Sequence, residues 1–273
     1  MTPQPHPEVV NGHPRILIVG FGHVGQHLAR YFTEAHSVDA DGIIRSVKTG
    51  CQVEPEALYD LGFICVPTPE AKDGSCDTSL VRDAWETWGA RARHWCLKST
   101  VEPGTTDALG DNVCFSPEYY GETVGHPLIG ADRNTFVILG GPWETVNAFA
   151  NAWTLVTNSY TRIYQTDVRT AELVKLMENA WIATKVAFCN QFYDIALQAG
   201  VDWHELRELW LADPRVSRSH TYVYPDNRGF GGKCLPKDTA NLCAWSRWKL
   251  LEPASLIEVV RAYNAQLRGR GRG

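Results

Sequence analysis

The chain has 273 residues and a net charge of −5, with 44% hydrophobic and 21% charged residues. This length can bury a sizeable core and could hold two domains. The negative charge disfavours nucleic acid as the main partner, and no apolar run approaches the roughly 18 residues that would span a membrane. Eight cysteines occur without a Cys-x-x-Cys pair, which favours thiols in a reducing cytoplasm over a disulfide framework or a zinc site.

The two ends of the chain read as unstructured. Residues 1–14 are polar and rich in proline, so we expect a disordered N-terminus without a signal peptide. The last residues, 268–273, alternate Arg with Gly and lack apolar side chains. We expect a basic, flexible tail there, and an RNA-binding interpretation of so short a run is weak.

The first ordered segment predicts a dinucleotide site. A buried strand over 15–20 runs directly into a glycine-spaced turn and then into a helical pattern, the order that a dinucleotide fingerprint requires. In such a turn the first glycine permits the sharp bend, the second lets a pyrophosphate approach the backbone, and the third lets helix and strand pack closely. The predicted cofactor-binding residues are Gly20, Gly22, His23, Val24 and Gly25.

An acidic residue about 20 positions after the first glycine should hold the ribose hydroxyls of the cofactor. Asp39 lies 19 residues after Gly20, and Asp41 lies two residues further on. We prefer Asp39, although either carboxylate could serve. An acidic residue here favours NAD over NADP because it would repel a 2′-phosphate, whereas the nearby Arg45 leaves NADP as an alternative.

Strand-like runs then alternate with helical stretches, which predicts a doubly wound parallel sheet of the Rossmann type over 15–165. The runs cover 63–66, 94–98, 113–115 and 136–139, and a helix is expected over about 78–93. Ligands of such sheets bind beyond the carboxyl ends of the strands. Polar or turn residues follow these ends and are candidates for one cleft, although each alone could be ordinary loop polarity: Pro67, Thr68, Thr100, Glu118 and Glu122.

The second half, 166–267, reads as an all-helical domain. Asp167 can cap a helix of roughly 30 residues that ends near Gly200, followed by helices over about 202–211, 236–248 and 253–267. So long a helix must bury two faces, either against the cofactor domain or against another subunit. Lys175 and Asn179 share one helix face and could hold an oxyanion, although Lys175 could equally snorkel to solvent.

The segment from Gly229 to Asp238 is the most informative in the chain. It places Cys234 at the end of a glycine-rich turn, before Pro236, a residue type well suited to the first helical position. The N–H groups and dipole at a helix N-terminus stabilise a thiolate, and two flanking lysines add positive charge. A buried structural cysteine is the alternative, but three glycines and the following Pro-Lys-Asp favour a reactive thiol.

The combined motifs resemble the UDP-glucose/GDP-mannose dehydrogenase family over about 15–265. The motifs that carry the resemblance are Val66-Pro67-Thr68-Pro69, Lys98-Ser99-Thr100-Val101 with Pro103-Gly104-Thr105, Ser116-Pro117-Glu118-Tyr119, Lys175-x-x-x-Asn179-Ala180, Asp213-Pro214-Arg215 and Gly229-Phe230-Gly231-Gly232-Lys233-Cys234-Leu235-Pro236-Lys237-Asp238. The cysteine segment is highly specific, and the order of all six motifs makes chance unrealistic.

The resemblance implies oxidation of a sugar C6 alcohol to a carboxylate with NAD, through a thiohemiacetal and a thioester on Cys234. It implies catalytic roles for Cys234, Lys175, Asn179, Asp238, Glu118 and Thr100. It implies substrate contacts by Glu118, Glu122, Lys175, Asn179, Arg215, Tyr222 and Gly231, with Arg215 reaching across the interface of a homodimer. No metal, nucleic acid or membrane is expected as a partner.

Full-length members of the family carry a third domain that helps to bind the nucleotide, and we expect this chain to be a short form without it. The dimer and the 213–233 loop could suffice, the substrate could differ, or a partner chain could supply the missing domain. Two other functions stay open: a 3-hydroxyacid-type dehydrogenase, which would not need Cys234 or Asp238, and a non-catalytic subunit that binds NAD or a sugar.

Overall fold

A computed structural model describes residues 13–119, 136–249 and 253–270 of the chain. The chain divides into two compact units. The first unit comprises Met1–Pro69 and Asp77–Lys175, and the second comprises Glu70–Cys76 and Leu176–Gly273. The division therefore falls within the longest helix of the chain, after Lys175.

The first unit is built on one sheet with the strand order β3-β2-β1-β4-β5-β6-β7-β8. Its strands are β1 Ile16–Val19, β2 His36–Val38, β3 Arg45–Ser46, β4 Tyr59–Ile64, β5 Ala92–Leu97, β6 Val113–Phe115, β7 Phe136–Gly140 and β8 Arg162–Thr166. The strand order reverses at β1, which pairs in parallel with β2 on one side and with β4 on the other. In sheets of this kind, ligands bind at the carboxyl edge beside such a reversal.

Helices cover both faces of this sheet. They are α1 His23–Ala29, α2 Ser79–Trp88 and α3 Trp143–Val156. Alternate residues of a strand point to opposite faces, so Ile16 and Ile18 of β1 pack in one apolar cluster with Trp153 of α3. Leu17 and Val19 belong to a second cluster that includes Val81 of α2. The prediction of a doubly wound α/β sheet is thus confirmed.

The first unit differs from the prediction in three details. It is not wholly parallel, because β2 pairs with β3 and β6 pairs with β7 in antiparallel orientation. The sequence did not predict the strands β2, β3 and β8, because they are short or partly exposed and contain no apolar run. The helix expected over about 78–93 ends at Trp88, and the chain enters β5 at Ala92. The carbonyl of Gly89 accepts a hydrogen bond from the Trp95 indole, which fixes this early exit.

The helices of the second half are α4 Val168–Gln198, α5 Trp203–Trp210, α6 Leu235–Lys249 and α7 Ser255–Arg270. The predicted cap of α4 is confirmed, since Asp167 Oδ1 accepts from the Thr170 N–H at 2.9 Å. Gly200 follows the helix with a φ of +70°, a conformation suited to its C-terminal end. Asp202 caps α5 in the same way as Asp167 caps α4.

The helix α7 corrects the prediction of a flexible tail from residue 268. It continues through Arg268 and Gly269 to Arg270, because its last turns still pack on the protein. Leu267 is fully buried, and the Arg268 guanidinium donates to Asn227 Oδ1 at 2.6 Å.

Two further observations bear on the composition. Within the described ranges, no helix combines the length and apolar character needed to cross a bilayer. The cysteines of the same ranges form no disulfide bond. The reducing, cytoplasmic location stays a prediction.

Candidate active site

The glycine turn between β1 and α1 is shaped by close backbone packing. Gly20 has a φ of +89°, and a Cβ there would lie 2.9 Å from the carbonyl carbon of Cys65. A Cβ on Gly25 would lie 2.2 Å from the carbonyl oxygen of Gly20. A Cβ on Gly22 would meet no atom within 4 Å. Packing therefore explains the first and third glycines, whereas open space at Gly22 fits the approach of a cofactor pyrophosphate.

This difference predicts separable effects of two alanine substitutions. We expect Gly25→Ala to lower the free energy of unfolding by about 1–3 kcal/mol, because the methyl group must displace backbone. We expect Gly22→Ala to leave stability within about 0.5 kcal/mol of the wild type but to weaken NAD binding at least about tenfold. Thermal denaturation and fluorescence titration with NAD measure the two effects. Unchanged NAD affinity in Gly22→Ala would contradict a pyrophosphate at this turn.

The acidic residues after β2 differ in what they contact. Asp41 accepts hydrogen bonds from both terminal nitrogens of Arg45, at 3.2 and 2.7 Å, and these bonds hold the pKa of its carboxyl below the usual value. Asp39 directly follows β2, is exposed, and accepts from the Ala40 N–H at 3.0 Å. Because the Asp41 carboxylate is already paired with Arg45, Asp39 remains the better candidate for the ribose hydroxyls.

The loops after β4 and β5 are fastened to each other by two side-chain hydroxyls. Thr68 Oγ1 donates to the Thr100 carbonyl at 2.7 Å, and Ser99 Oγ donates to the Val66 carbonyl at 2.6 Å. The predicted cofactor residues Pro67, Thr68 and Thr100 are thereby brought together at the carboxyl edge of the sheet. Sequence reasoning quoted Ser99 within a motif but gave it no role.

The Lys175 side chain is held in the first unit. Its ammonium donates to the Glu118 carbonyl and lies 5.0 Å from the centre of the Tyr119 ring. Lys175 is buried, so its ammonium is held by these two contacts and is not hydrated by bulk solvent. The snorkelling alternative is wrong for this lysine.

A buried carboxylate one turn before Lys175 was missed by sequence reasoning. Glu172 of α4 accepts from the N–H groups of Gly104 and Thr106 and from the Thr106 hydroxyl. Burial raises the pKa of this carboxyl, and the three hydrogen bonds act in the opposite direction. It thus fixes the chain that follows Thr100 to the start of α4. A lone Glu in a helical pattern reads as solvent-exposed, so the sequence held no signal for this role.

In the second unit a buried carboxylate joins α4 to α6. Asp238 is 1% exposed, accepts from Asn179 Nδ2, and lies 2.6 Å from the ammonium of Lys237. A buried charge is tolerated only where it is paired and hydrogen-bonded, and both conditions are met here. The structure therefore brings together two of the residues predicted to be catalytic.

Cys234 lies at the N-terminus of α6, as the sequence predicted. Its carbonyl accepts from the Asp238 N–H at 2.8 Å, the first hydrogen bond of that helix, and the residue is exposed. One detail differs, since Leu235 and not Pro236 is the first helical residue. Cys234 and Asp238 are four residues apart and so belong to one face of the first turn.

The glycine-rich turn before Cys234 is held by a residue that the sequence did not single out. Asn264 of α7 accepts from the Phe230 N–H at 2.7 Å and donates to the Phe230 carbonyl at 3.0 Å. Gly229 has a φ of +76°, and a Cβ there would lie 2.3 Å from Asn264 Oδ1. No periodicity marks Asn264, because its partners are backbone groups more than thirty residues away.

Three predicted substrate residues of the second unit, Arg215, Tyr222 and Gly231, each lie beside a different side chain. Arg215 is 88% exposed and pairs with Asp213, with Nε 3.0 Å from each carboxylate oxygen. The Tyr222 ring lies 3.9 Å from the guanidinium carbon of the buried Arg207. A Cβ on Gly231 would lie 3.4 Å from the Arg268 guanidinium. The predicted residue Glu122 lies outside the described residues.

The described part of the chain contains no group of three or more His, Cys, Asp or Glu side chains placed to hold a metal ion. The polar residues with candidate roles instead form two sets. The first unit holds Thr68, Thr100, Glu118 and Lys175, and the second holds Asn179, Cys234 and Asp238.

Comparison with known proteins supports one family along most of this chain. Residues 46–119 match the NAD-binding domain of the UDP-glucose/GDP-mannose dehydrogenase family, and residues 169–266 match its central domain. The fold is similar to a UDP-glucose dehydrogenase structure from Pyrobaculum islandicum, with a TM-score of 0.79 and 24% identity over 96% of this chain and 70% of that one.

Individual relatives share a quarter to a third of their aligned residues. A UDP-N-acetyl-D-mannosamine dehydrogenase of Methanocaldococcus jannaschii is 31% identical over 82% of this chain and 52% of its own length. A UDP-glucose 6-dehydrogenase of Bacillus subtilis is 25% identical over 81% of this chain and 57% of its own. The chain spans about half the length of these curated relatives. It belongs to the UDP-glucose/GDP-mannose dehydrogenase family, and its cofactor is NAD.

Proposed function

We propose that this protein oxidises the C6 alcohol of a nucleotide sugar to a carboxylate, with NAD as the oxidant and Cys234 as the covalent catalyst. The observation that carries the proposal is the exposed Cys234 at the N-terminus of α6. One turn further along α6 lies the buried Asp238, which accepts a hydrogen bond from Asn179 of α4. An accessible thiol at a helix N-terminus is suited to nucleophilic attack, since the helix dipole favours the thiolate.

The proposed chemistry divides a four-electron oxidation into two hydride transfers. NAD, when bound, would supply the hydride acceptor for both transfers. Between them the Cys234 sulfur adds to the aldehyde carbon to give a thiohemiacetal, and its oxidation leaves a thioester. Water then attacks the thioester carbon, the C–S bond breaks, and the thiol and the carboxylate are released. One substrate therefore consumes one water and two NAD.

The polar residues are proposed to support these steps. The Lys175 ammonium and the Asn179 amide would stabilise the oxyanion that develops on the reacting carbon. The Asp238 carboxylate would move protons during hydrolysis, and Glu118 and Thr100 would position water or act in acid–base steps. Burial of Lys175 and Asp238 strengthens such electrostatic effects, because less water screens them.

The substrate class is proposed from the relatives and from the loop that carries Arg215. The relatives are named for UDP-glucose and for UDP-N-acetyl-D-mannosamine. We therefore propose a nucleoside diphosphate sugar, with Arg215 and Tyr222 among the residues that contact it. Both side chains are substantially exposed, which leaves them accessible to a ligand. The proposed set also includes Glu118, Glu122, Lys175, Asn179 and Gly231.

A stoichiometric assay tests the proposed function. NADH formation is followed by absorbance over a panel of nucleotide sugars and free sugars, and the product is identified by mass spectrometry. The proposal expects two NADH for each carboxylate formed. One NADH for each substrate, without dependence on a thiol, would favour a 3-hydroxyacid-type dehydrogenase. No turnover on any compound would overturn the proposal in favour of a non-catalytic subunit or of one that requires a partner chain.

We also propose that the chain forms a homodimer through α4. In its second-unit portion this helix exposes large apolar side chains, and Met177 and Trp181 are 71% and 60% exposed. Four more follow along the helix: Phe188, Phe192, Ile195 and Leu197. Exposed apolar surface of this extent is typical of an interface.

The dimer makes a specific prediction for Trp181. We expect Trp181→Glu to shift the protein from dimer to monomer, because removing a carboxylate from water into an apolar interface costs free energy. Sedimentation velocity measures the change, with Trp248→Glu as the control at a tryptophan of α6 that is also largely exposed. A wild-type protein that sediments as a monomer would contradict the proposal.

A further inference from the structure

A buried lysine at the end of β5 has no role in the chemistry proposed above. Lys98 is 4% exposed, and its ammonium donates to Ser116 Oγ at 3.0 Å and to the Pro117 carbonyl at 3.1 Å. Both acceptors are neutral. Burial lowers the pKa of this lysine, and the nearby Cys96 thiol and Glu118 carboxylate act in the opposite direction. A cation buried against neutral acceptors is costly for folding, so packing alone does not account for it.

The two acceptors show what this lysine holds in place. Ser116 and Pro117 are the two residues between the end of β6 and Glu118. The Glu118 carbonyl is in turn the acceptor for the Lys175 ammonium. The position of that carbonyl is set by a chain segment that Lys98 fastens to β5. Lys98 thus acts on the segment immediately before the point at which Lys175 is held.

Lys98 also extends the hydrogen-bonded connections along the carboxyl edge of the sheet. Thr68 and Ser99 fasten the loops after β4 and β5 to each other. Lys98, adjacent to Ser99, then fastens β5 to the loop after β6. Three consecutive loops are therefore linked by side chains, and only the last link depends on a buried charge.

We propose that Lys98 is a positioning residue, which fixes the segment from Ser116 to Glu118 and thereby the ammonium of Lys175. The proposal rests on the proposed function only for its effect on turnover. The placement of Lys175 can be measured without any substrate. Lys98 itself would not contact the sugar or the cofactor.

The test is the reactivity of Lys175 toward trace acetic anhydride, quantified by mass spectrometry relative to the exposed Lys48 of the same molecule. In Lys98→Met we expect Lys175 to be labelled about tenfold faster than in the wild type, because the segment that holds it is released. In Ser116→Ala, which removes one of the two acceptors, we expect a smaller rise.

A matched variant separates positioning from a general loss of stability. Val81→Ala creates a cavity in the core of the same unit, on helix α2. It should leave the labelling of Lys175 unchanged relative to Lys48. Equal labelling of Lys175 in wild type and folded Lys98→Met, or an equal rise in Val81→Ala, overturns the proposal. If Lys98→Met does not fold, Ser116→Ala decides, and unchanged labelling there overturns it.

Turnover provides the second readout. On whichever nucleotide sugar the wild type oxidises, Lys98→Met should lower kcat about tenfold or more while the KM for NAD stays within about twofold. A structural defect that spread through the first unit would lower kcat and also raise the KM for NAD. If the wild type oxidises none of the panel, the proposed function fails, and the labelling result still decides the role of Lys98.

Discussion

Cys234→Ser is expected to abolish carboxylate formation, with a loss of more than about 10³-fold in rate, as expected when a covalent nucleophile is removed. A serine hydroxyl is far less ionised than a thiol at neutral pH and leaves much less readily from an ester than a thiolate does. NAD affinity should be unchanged, because Cys234 lies at α6 in the second unit and the glycine turn lies in the first. The measurements are acid production by mass spectrometry and fluorescence titration with NAD.

Cys51→Ser is the matched control, because Cys51 is the other exposed cysteine among the described residues. It should retain full acid production and full NAD affinity. Acid quenching of the wild type during turnover should also leave a sugar-derived mass on the peptide that contains Cys234. Acid production by Cys234→Ser at the wild-type rate would rule out the covalent mechanism, whereas NADH formation would still support a dehydrogenase.

Asp238→Asn is expected to have the second-largest effect, a fall of about 10²-fold in kcat, the usual size of a general acid–base contribution. The substitution keeps the shape of the side chain and one acceptor oxygen for Asn179. It removes the charge that faces Lys237 and the ability to accept a proton. NADH formation under saturating NAD measures the change, and thermal denaturation measures the accompanying loss of stability.

That loss of stability should be modest, about 1–3 kcal/mol, because Lys237 is partly exposed and can turn to solvent. Glu258→Gln is the control, since it removes a carboxylate that pairs with Arg247 of the same helix α6, at 2.7 Å and near the surface. Such an exposed pair contributes about 0–1 kcal/mol, and kcat should be unchanged. A wild-type kcat in Asp238→Asn would exclude Asp238 from proton transfer.

The sequence predicts local features well wherever the cause is local. The turn at Gly20 to Gly25 and the cap at Asp167 are confirmed, because spacing and side-chain type are sufficient to specify them. The weakest predictions concern β2, β3 and β8. These strands depend on hydrogen bonds to neighbouring strands, and their own residues show little apolar patterning.

The residues of the candidate site also differ in whether nearby or distant parts of the sequence determine their roles. Cys234 could be placed at a helix N-terminus from glycines and a proline that lie within five residues of it. Glu172, Asn264 and Lys98 could not be given their roles, because each binds groups that are distant in sequence: Glu172 holds Gly104 and Thr106, Asn264 holds Phe230, and Lys98 holds Ser116 and Pro117. A buried lysine and an exposed one look the same in a sequence window.

The sequence by itself thus determined the class of sheet, the family, the cofactor turn and the placement of the cysteine, since these follow from patterns within a few consecutive residues. Only the tertiary structure decided that Asp41 is occupied by Arg45, that Lys175 is held at the Glu118 carbonyl, and that Asp238 is buried against Asn179. Those arrangements depend on which buried polar groups find partners when distant segments pack, and that pairing is fixed only once the chain has folded.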